Sequence, residues 1–295
     1  MKIDGVFSGG GVKALAFIGA LEVLEENQYQ FQRVAGTSAG AMVACLVAAG
    51  YTSKELKVIL DELSFETLID EPVSDKVFPF SKWLFLYYRM GLYKGNHLEK
   101  ILDKWLSKKG IRTFAQLPEG SLKVVCSDLT LGKMVVIPDD LKETYGIDPR
   151  TFSVAKAARI SASLPYFFRP VKLYGKNGKS LLVDGGVLSN FPIWLFENDD
   201  GRRTRPIVGM QLSDPPDQLP ERNIKNAIQM FQALFQTMKQ AHDARYVSTT
   251  KSRDIIFIPV KDVETTDFYL SKKQKEFLLD IGRQRALQFL KRWSK

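Results

Sequence analysis

Within its first fifty residues the chain twice runs from a short apolar stretch through glycine into an apolar helical pattern. Residues 3–7 lead into Ser8-Gly9-Gly10-Gly11, and a helix follows over 12–27 in which Leu15, Ile18 and Leu21 recur at helical spacing. Residues 31–35 lead into Gly36-Thr37-Ser38-Ala39-Gly40 and then an Ala/Val-rich helix that stops at Gly50. Strands that alternate with helices build a parallel sheet covered by helices, which excludes all-β and all-helical folds. Further strands are expected over 122–126, 134–137, 181–183, 207–212 and 255–260. Helices are expected over 96–108 with Asn96 as N-cap, 153–162, 223–249, and 271–293 with Ser271 as N-cap. The expected fold is α/β, a three-layer α/β/α sandwich around a mainly parallel sheet. Lacking repeats and low-complexity linkers, 1–295 reads as one domain, with the motifs in 3–213 and a C-terminal strand and helices in 214–295.

The chain has 295 residues, enough for a sizeable core. Lys and Arg exceed Asp and Glu by 42 to 33, a net charge of +9 that fits a solvated surface or favours anionic partners: nucleic acid, membrane headgroups or acidic metabolites. Cys45 and Cys126 are the two cysteines. Each sits in an apolar run and reads as a buried, reduced thiol rather than half of a disulfide or metal site. The start MKIDGVFSGGG breaks into glycine too early for a signal peptide, and no apolar run reaches the roughly 18 residues of a membrane helix. The expectation is a cytoplasmic protein, soluble or peripherally attached to membrane.

The second glycine turn matches G-x-S-x-G, in which a strand turns sharply into a helix and presents a serine at the helix start. Flanking glycines let the backbone pass close to itself, and the helix dipole favours negative charge developing there. The first turn, Gly9-Gly10-Gly11, leaves backbone amides uncovered before a helix, which suits an oxyanion or a phosphate. Residues 9–14 also fit the dinucleotide fingerprint G-x-G-x-x-A. That reading needs an acidic residue at the end of the next strand, where Ala35-Gly36 stands instead. No Gly-Lys-Ser/Thr follows for a Walker loop.

A serine nucleophile needs a base. Of the two histidines, His97 follows a helix cap and His242 lies in a polar helical stretch, so neither has the loop setting of a triad member. Asp184 ends the apolar strand Leu181-Leu182-Val183 and precedes Gly185-Gly186, a position where functional groups gather in parallel sheets. An aspartate is a weak base at neutral pH, and burial strengthens it.

Ser8-Gly9-Gly10-Gly11-Val12-Lys13-Ala14, Gly36-Thr37-Ser38-Ala39-Gly40 and Asp184-Gly185-Gly186 together, in that order, resemble the patatin-like phospholipase family. Ala162-Ser163-Leu164-Pro165-Tyr166-Phe167-Phe168, and Asn190 and Pro192 after the aspartate, extend the resemblance. It implies a Ser–Asp dyad without histidine: Ser38 as nucleophile, Asp184 as general base, and Gly9, Gly10 and Gly11 as donors to the oxyanion. Lys13 and Ala14 stand where the family commonly has Arg and Gly. No cofactor or metal is implied. The implied substrates are phospholipids, lysophospholipids or acylglycerols, with peripheral membrane contact and no nucleic-acid partner. The oligomeric state is not legible.

Two alternatives stay open at this stage. One is a dinucleotide-dependent oxidoreductase using residues 9–14; the other is a non-catalytic lipid-binding module on the same fold. The aromatic stretch 78–93, with Lys82, Arg89 and Lys94, suits a bilayer interface, an acyl-chain groove or a packed insertion.

Overall fold

The structure, a computed structural model, describes residues 1–62, 88–176, 178–197, 203–213, 252–260 and 269–293, with residues 224, 230, 233–234, 237–238 and 263 besides. The strands of the main sheet are β1 (Lys2–Phe7), β2 (Gln30–Thr37), β4 (Leu122–Asp128), β5 (Lys133–Ile137), β7 (Val171–Gly175), β8 (Gly178–Asp184), β9 (Ile207–Gln211) and β10 (Ile255–Phe257). A separate two-stranded sheet pairs β3 (Gly91–Tyr93) with β6 (Tyr166–Phe168). The helices are α1 (Leu15–Glu26), α2 (Ala39–Ala48), α3 (Ser53–Glu62), α4 (Asn96–Lys108), α5 (Val154–Ser161) and α6 (Lys272–Trp293).

The main sheet runs β10-β9-β1-β2-β4-β8-β7, with β5 also on β4. Pairing is parallel from β10 through β4 and antiparallel for β5, β8 and β7. This is the three-layer, mainly parallel α/β fold expected. Alternation along the strands sorts their side chains. Ile3 and Phe7 enter the larger core, where Phe7 meets Phe17 of α1 edge-on at 5.6 Å, while Val6 joins Ala35, Ile207 and Ile255 against Phe191, Ile193 and Phe196. α6 carries Leu278, Gly282, Ala286 and Phe289 as a buried stripe and lies along α1.

Several expectations need correcting. Asn96 is not a cap but the first residue of α4; Gly95 caps it, at φ 76°. Strand 255–260 shortens to β10, and strand 181–183 lengthens to all of β8. α3, β3, β6 and β7 were not anticipated. The expected helix over 223–249, and with it His242, lies almost wholly outside the described residues, as does 78–87 of the aromatic stretch. Ser271 does cap α6: its hydroxyl accepts from Gln274 N–H at 3.3 Å while Gln274 Oε1 accepts from Ser271 N–H at 2.9 Å. Both cysteines are free and fully buried. Among the described residues no helix is long and apolar enough to cross a membrane.

The direction of β8 is the finding that positions the site. β5 covers one edge of β4 from Val124 to Asp128, so every other partner there must use the opposite edge. On that edge β2 runs parallel to β4 as far as Thr37, opposite Val125. β8 arrives antiparallel and ends with Asp184, opposite Cys126. Two strands therefore meet head to head along one edge of β4, and their carboxyl ends face each other at neighbouring rungs.

Candidate active site

β2 delivers its last residues into a turn that bulkier residues could not make. A methyl on Gly36 would lie 2.4 Å from the Gly40 carbonyl oxygen, and one on Gly40 would lie 2.4 Å from the Ser8 oxygen and 2.5 Å from that of Phe7. The start of α2 thus presses on the end of β1 with nothing but Cα hydrogens between. Ser38, at the apex, holds φ 56° and ψ −127°, outside the regions a serine ordinarily occupies. Such a backbone costs about 1–3 kcal/mol and persists only where its surroundings hold it.

They hold it as follows. Ser38 N–H donates to Ser161 Oγ at 2.8 Å, and Ser161 Oγ–H donates to the Val125 carbonyl at 2.6 Å. The Ser38 hydroxyl donates to Asp184 Oδ2 at 2.6 Å. Asp184 is 1% exposed. Its Oδ1 accepts from Gly186 N–H at 2.7 Å, and its own N–H donates to the Ser163 carbonyl at 2.9 Å. One oxygen is therefore engaged by backbone and the other is aimed at the serine. Such charge-assisted bonds to a buried carboxylate fix its orientation.

The glycine loop runs beside this pair: a methyl on Gly9 would lie 3.1 Å from Ser38 Cβ. It is anchored at its near end. Ser8 N–H donates to the Met210 carbonyl at 3.0 Å, and Ser8 Oγ accepts from Leu212 N–H at 3.1 Å. Gly9 departs from the role expected of it. Its amide is buried and donates to the Asn190 carbonyl at 3.0 Å, so it has no proton to offer an oxyanion. Gly10 and Gly11 are half-buried, and among the described residues no acceptor is recorded for their amides. Lys13 Nζ donates to the Val260 carbonyl at 2.8 Å, tying the turn after the glycines to the segment beyond β10.

His97 is exposed in the first turn of α4. At the end of β2, where a dinucleotide site needs an acid, Thr37 instead donates its hydroxyl to the Ser189 carbonyl at 3.0 Å. Sequence alone assigns no role to Ser161 and Ser163, which contact the backbone of Ser38 and Asp184, to Arg159, which bonds Ser163, or to Asn190, whose carbonyl takes the Gly9 amide. A signal for three of them is in the string: Arg159, Ser161 and Ser163 interrupt the small apolar run 157–164 at every second position, and all three are buried.

Comparison with known proteins gives the family. The family model for patatin-like phospholipase matches residues 5–196, which span all three glycine motifs. An uncharacterised Bacillus subtilis protein, YqhO, is 50% identical over 294 residues, covering 100% of both chains. A probable lipid hydrolase of invertebrate iridescent virus 6 is 27% identical over 191 residues, 64% of this chain and 61% of its own. The crystal structure of VipD from Legionella pneumophila shares the fold at a TM-score of 0.58 and 17% identity, covering 98% of this chain and 66% of that one. With its serine elbow, its Asp-Gly-Gly turn and its glycine loop inside the matched span, the chain belongs to the patatin-like phospholipase family.

Proposed function

We propose that this protein is a serine acyl hydrolase that cleaves an ester of a phospholipid or acylglycerol. The observation that carries the reading is the 2.6 Å hydrogen bond from Ser38 Oγ to Asp184 Oδ2, at the point where two carboxyl ends meet. Asp184 takes the hydroxyl proton as Ser38 Oγ attacks the ester carbonyl. The carbonyl oxygen gains negative charge and is held by the Gly10 and Gly11 amides, at the start of a helical turn whose dipole favours it. Asp184 then protonates the departing alcohol. A water enters, gives a proton to the same carboxylate and attacks the acyl-serine carbonyl. The fatty acid leaves and the proton returns to Ser38. No step draws on a cofactor.

The test combines labelling with mutation. A fluorophosphonate should attach to Ser38, as mass spectrometry of the labelled peptide would show. On a short-chain ester, Asp184→Asn should lose about 100- to 10,000-fold in kcat, the usual range for removing acid–base catalysis, and Ser38→Ala, which removes the nucleophile, at least as much. A folded Asp184→Asn protein that turns over at the wild-type rate would dispose of the dyad.

A further inference from the structure

Both members of the dyad are gripped by the same short stretch of chain. The end of α5 and the turn after it supply two contacts two residues apart. Ser161 Oγ accepts the Ser38 amide at 2.8 Å, and the Ser163 carbonyl accepts the Asp184 amide at 2.9 Å. Neither contact touches the reacting atoms. Each fixes the backbone from which a reacting side chain springs.

The stretch is itself locked. Ser161 is fully buried and bonds back to β4 through the Val125 carbonyl at 2.6 Å. Ser163 is fully buried too, and its hydroxyl both donates to the Arg159 carbonyl at 2.9 Å and accepts from Arg159 Nη1. Arg159 is 2% exposed, which is unusual for an arginine. Its Nε donates to the Gly95 carbonyl at 2.8 Å, and its Nη2 to the carbonyls of Lys94 at 2.6 Å and Arg169 at 3.2 Å. The guanidinium plane lies over the Phe168 ring at 5.0 Å. So one planar five-donor group gathers the entry to α4, the end of α5 and the start of the chain after β6 around Ser163. A lysine could not make this fork, because its ammonium is a point donor without the fixed geometry.

We propose that Arg159, Ser161 and Ser163 form a positioning clamp that sets the approach of Ser38 to Asp184. Ser161 holds the nucleophile in its left-handed backbone, the Ser163 carbonyl holds the base, and Arg159 fixes Ser163 between them. The clamp rests on the Ser–Asp reading above but assigns residues outside the dyad and the glycine loop. It accounts for a buried arginine and two buried serines that neither react nor face solvent.

Its test reads geometry apart from folding. Phosphonylation of Ser38 by a fluorophosphonate is timed per folded molecule, alongside kcat and KM on a short-chain ester, for Ser161→Ala, Ser161→Thr, Arg159→Lys and Arg203→Gln. Arg203 pairs with Glu197 and Asp254 at the opposite end of the sheet and serves as a control for lost stability. Ser161→Ala and Arg159→Lys should lower kcat and the labelling rate about 10- to 100-fold with KM changed less than about twofold, because misplaced reacting groups lose rate rather than binding. Ser161→Thr, which keeps the hydroxyl, should recover most of the rate. Arg203→Gln should lose stability and no rate per folded molecule. Wild-type labelling at Ser38 combined with unchanged rates in Ser161→Ala and Arg159→Lys overturns the clamp alone. Should Arg159→Lys fail to fold, Ser161→Ala against Ser161→Thr decides it. A wild-type protein that never labels at Ser38 overturns the dyad and the clamp together.

Discussion

Ser38 is held in an uncommon conformation by contacts that each belong to a particular neighbour, so single substitutions at those neighbours should report on it. Gly40→Ala sets two effects against each other. Alanine is better in a helix by about 1 kcal/mol, yet the methyl would sit 2.4 Å from the Ser8 carbonyl oxygen, and backbone cannot swing aside as a side chain can. Overpacking costs about 1–3 kcal/mol, so the variant should be less stable by denaturant melting. The displaced start of α2 should also lower ester turnover by about 100-fold, as expected for a reacting group moved by about 1 Å. Ser8→Ala tests the anchoring of the glycine loop. It leaves the Leu212 amide without its acceptor, which should cost about 1–3 kcal/mol of stability. It should also lower kcat while leaving phosphonylation confined to Ser38. A turnover equal to wild type would show that the loop keeps its place without that hydroxyl.

Among the elements, the crossing of α1 and α6 depends on two glycines. A methyl on Gly19 would lie 1.9 Å from the Leu279 carbonyl oxygen, and one on Gly282 would lie 1.8 Å from that of Ala16. Gly19→Ala and Gly282→Ala should therefore destabilise the fold despite a helix-propensity gain of about 1 kcal/mol each, and thermal melting would show the sign. α3 and α4 are joined differently, by Lys109 and Glu55 at 2.7 Å. The Lys109 hydrogen bond, with help from Thr52, lowers the Glu55 carboxyl from its ordinary value to about 2. A lowered carboxyl stabilises the fold above the ordinary glutamate range and loses that contribution as pH falls toward about 2. Lys109→Met should move the Glu55 titration upward, as carbon-detected NMR of the side chain would register. These elements also mark what could be read beforehand. Gly36 and Gly40 betrayed the elbow because close backbone approach excludes every other residue there. Thr52 and Glu55 spell a capping box for α3, with Thr52 N–H donating to Glu55 Oε2 at 2.9 Å, a local signal that the sequence carries. The direction of β8 was not legible at all. Leu181-Leu182-Val183-Asp184 pairs equally well either way, and its orientation comes from contacts with β4 more than fifty residues distant. Arg159 was unreadable for a related reason: apart from the Ser163 hydroxyl its acceptors are backbone carbonyls, which every residue has, and no acidic partner in the string announces a buried guanidinium.

At the scale of the whole molecule, the charge of +9 and an exposed apolar cluster bear on whether the proposed enzyme meets lipid at a membrane surface. Single exposed hydrophobics are ordinary, but four of them share the small β3–β6 sheet and its approach: Tyr88 at 71% exposure, Met90 at 40%, Leu92 at 42% and Tyr166 at 54%. Gly91 pairs with Tyr166, and Tyr166 lies three residues after Ser163, whose carbonyl holds Asp184. Met90 and Tyr166 both stand at left-handed φ, 58° and 66°, a conformation costing about 1–2 kcal/mol that keeps these bulky side chains where they are. The described end of the aromatic stretch thus divides. Tyr93 packs on Phe167 at 4.9 Å between ring centres, as a core insertion would, while Tyr88, Met90 and Leu92 face outward beside the exposed Lys94. Exposed apolar side chains on a basic protein are what an anionic bilayer surface binds. Co-sedimentation with vesicles should therefore show tighter binding to anionic than to neutral lipid. The preference should shrink toward 1 M salt, where the Debye length is about 3 Å. Fully burying a Met or Leu side chain in hydrocarbon contributes about 1.5–3 kcal/mol, so Met90→Asn with Leu92→Asn should weaken vesicle binding at least about tenfold. Turnover of a dissolved short-chain ester should stay as it was, since both side chains are exposed and Asp184 is buried. Binding indifferent both to lipid charge and to that double substitution would leave the basic surface merely solvated and the apolar cluster without a membrane role.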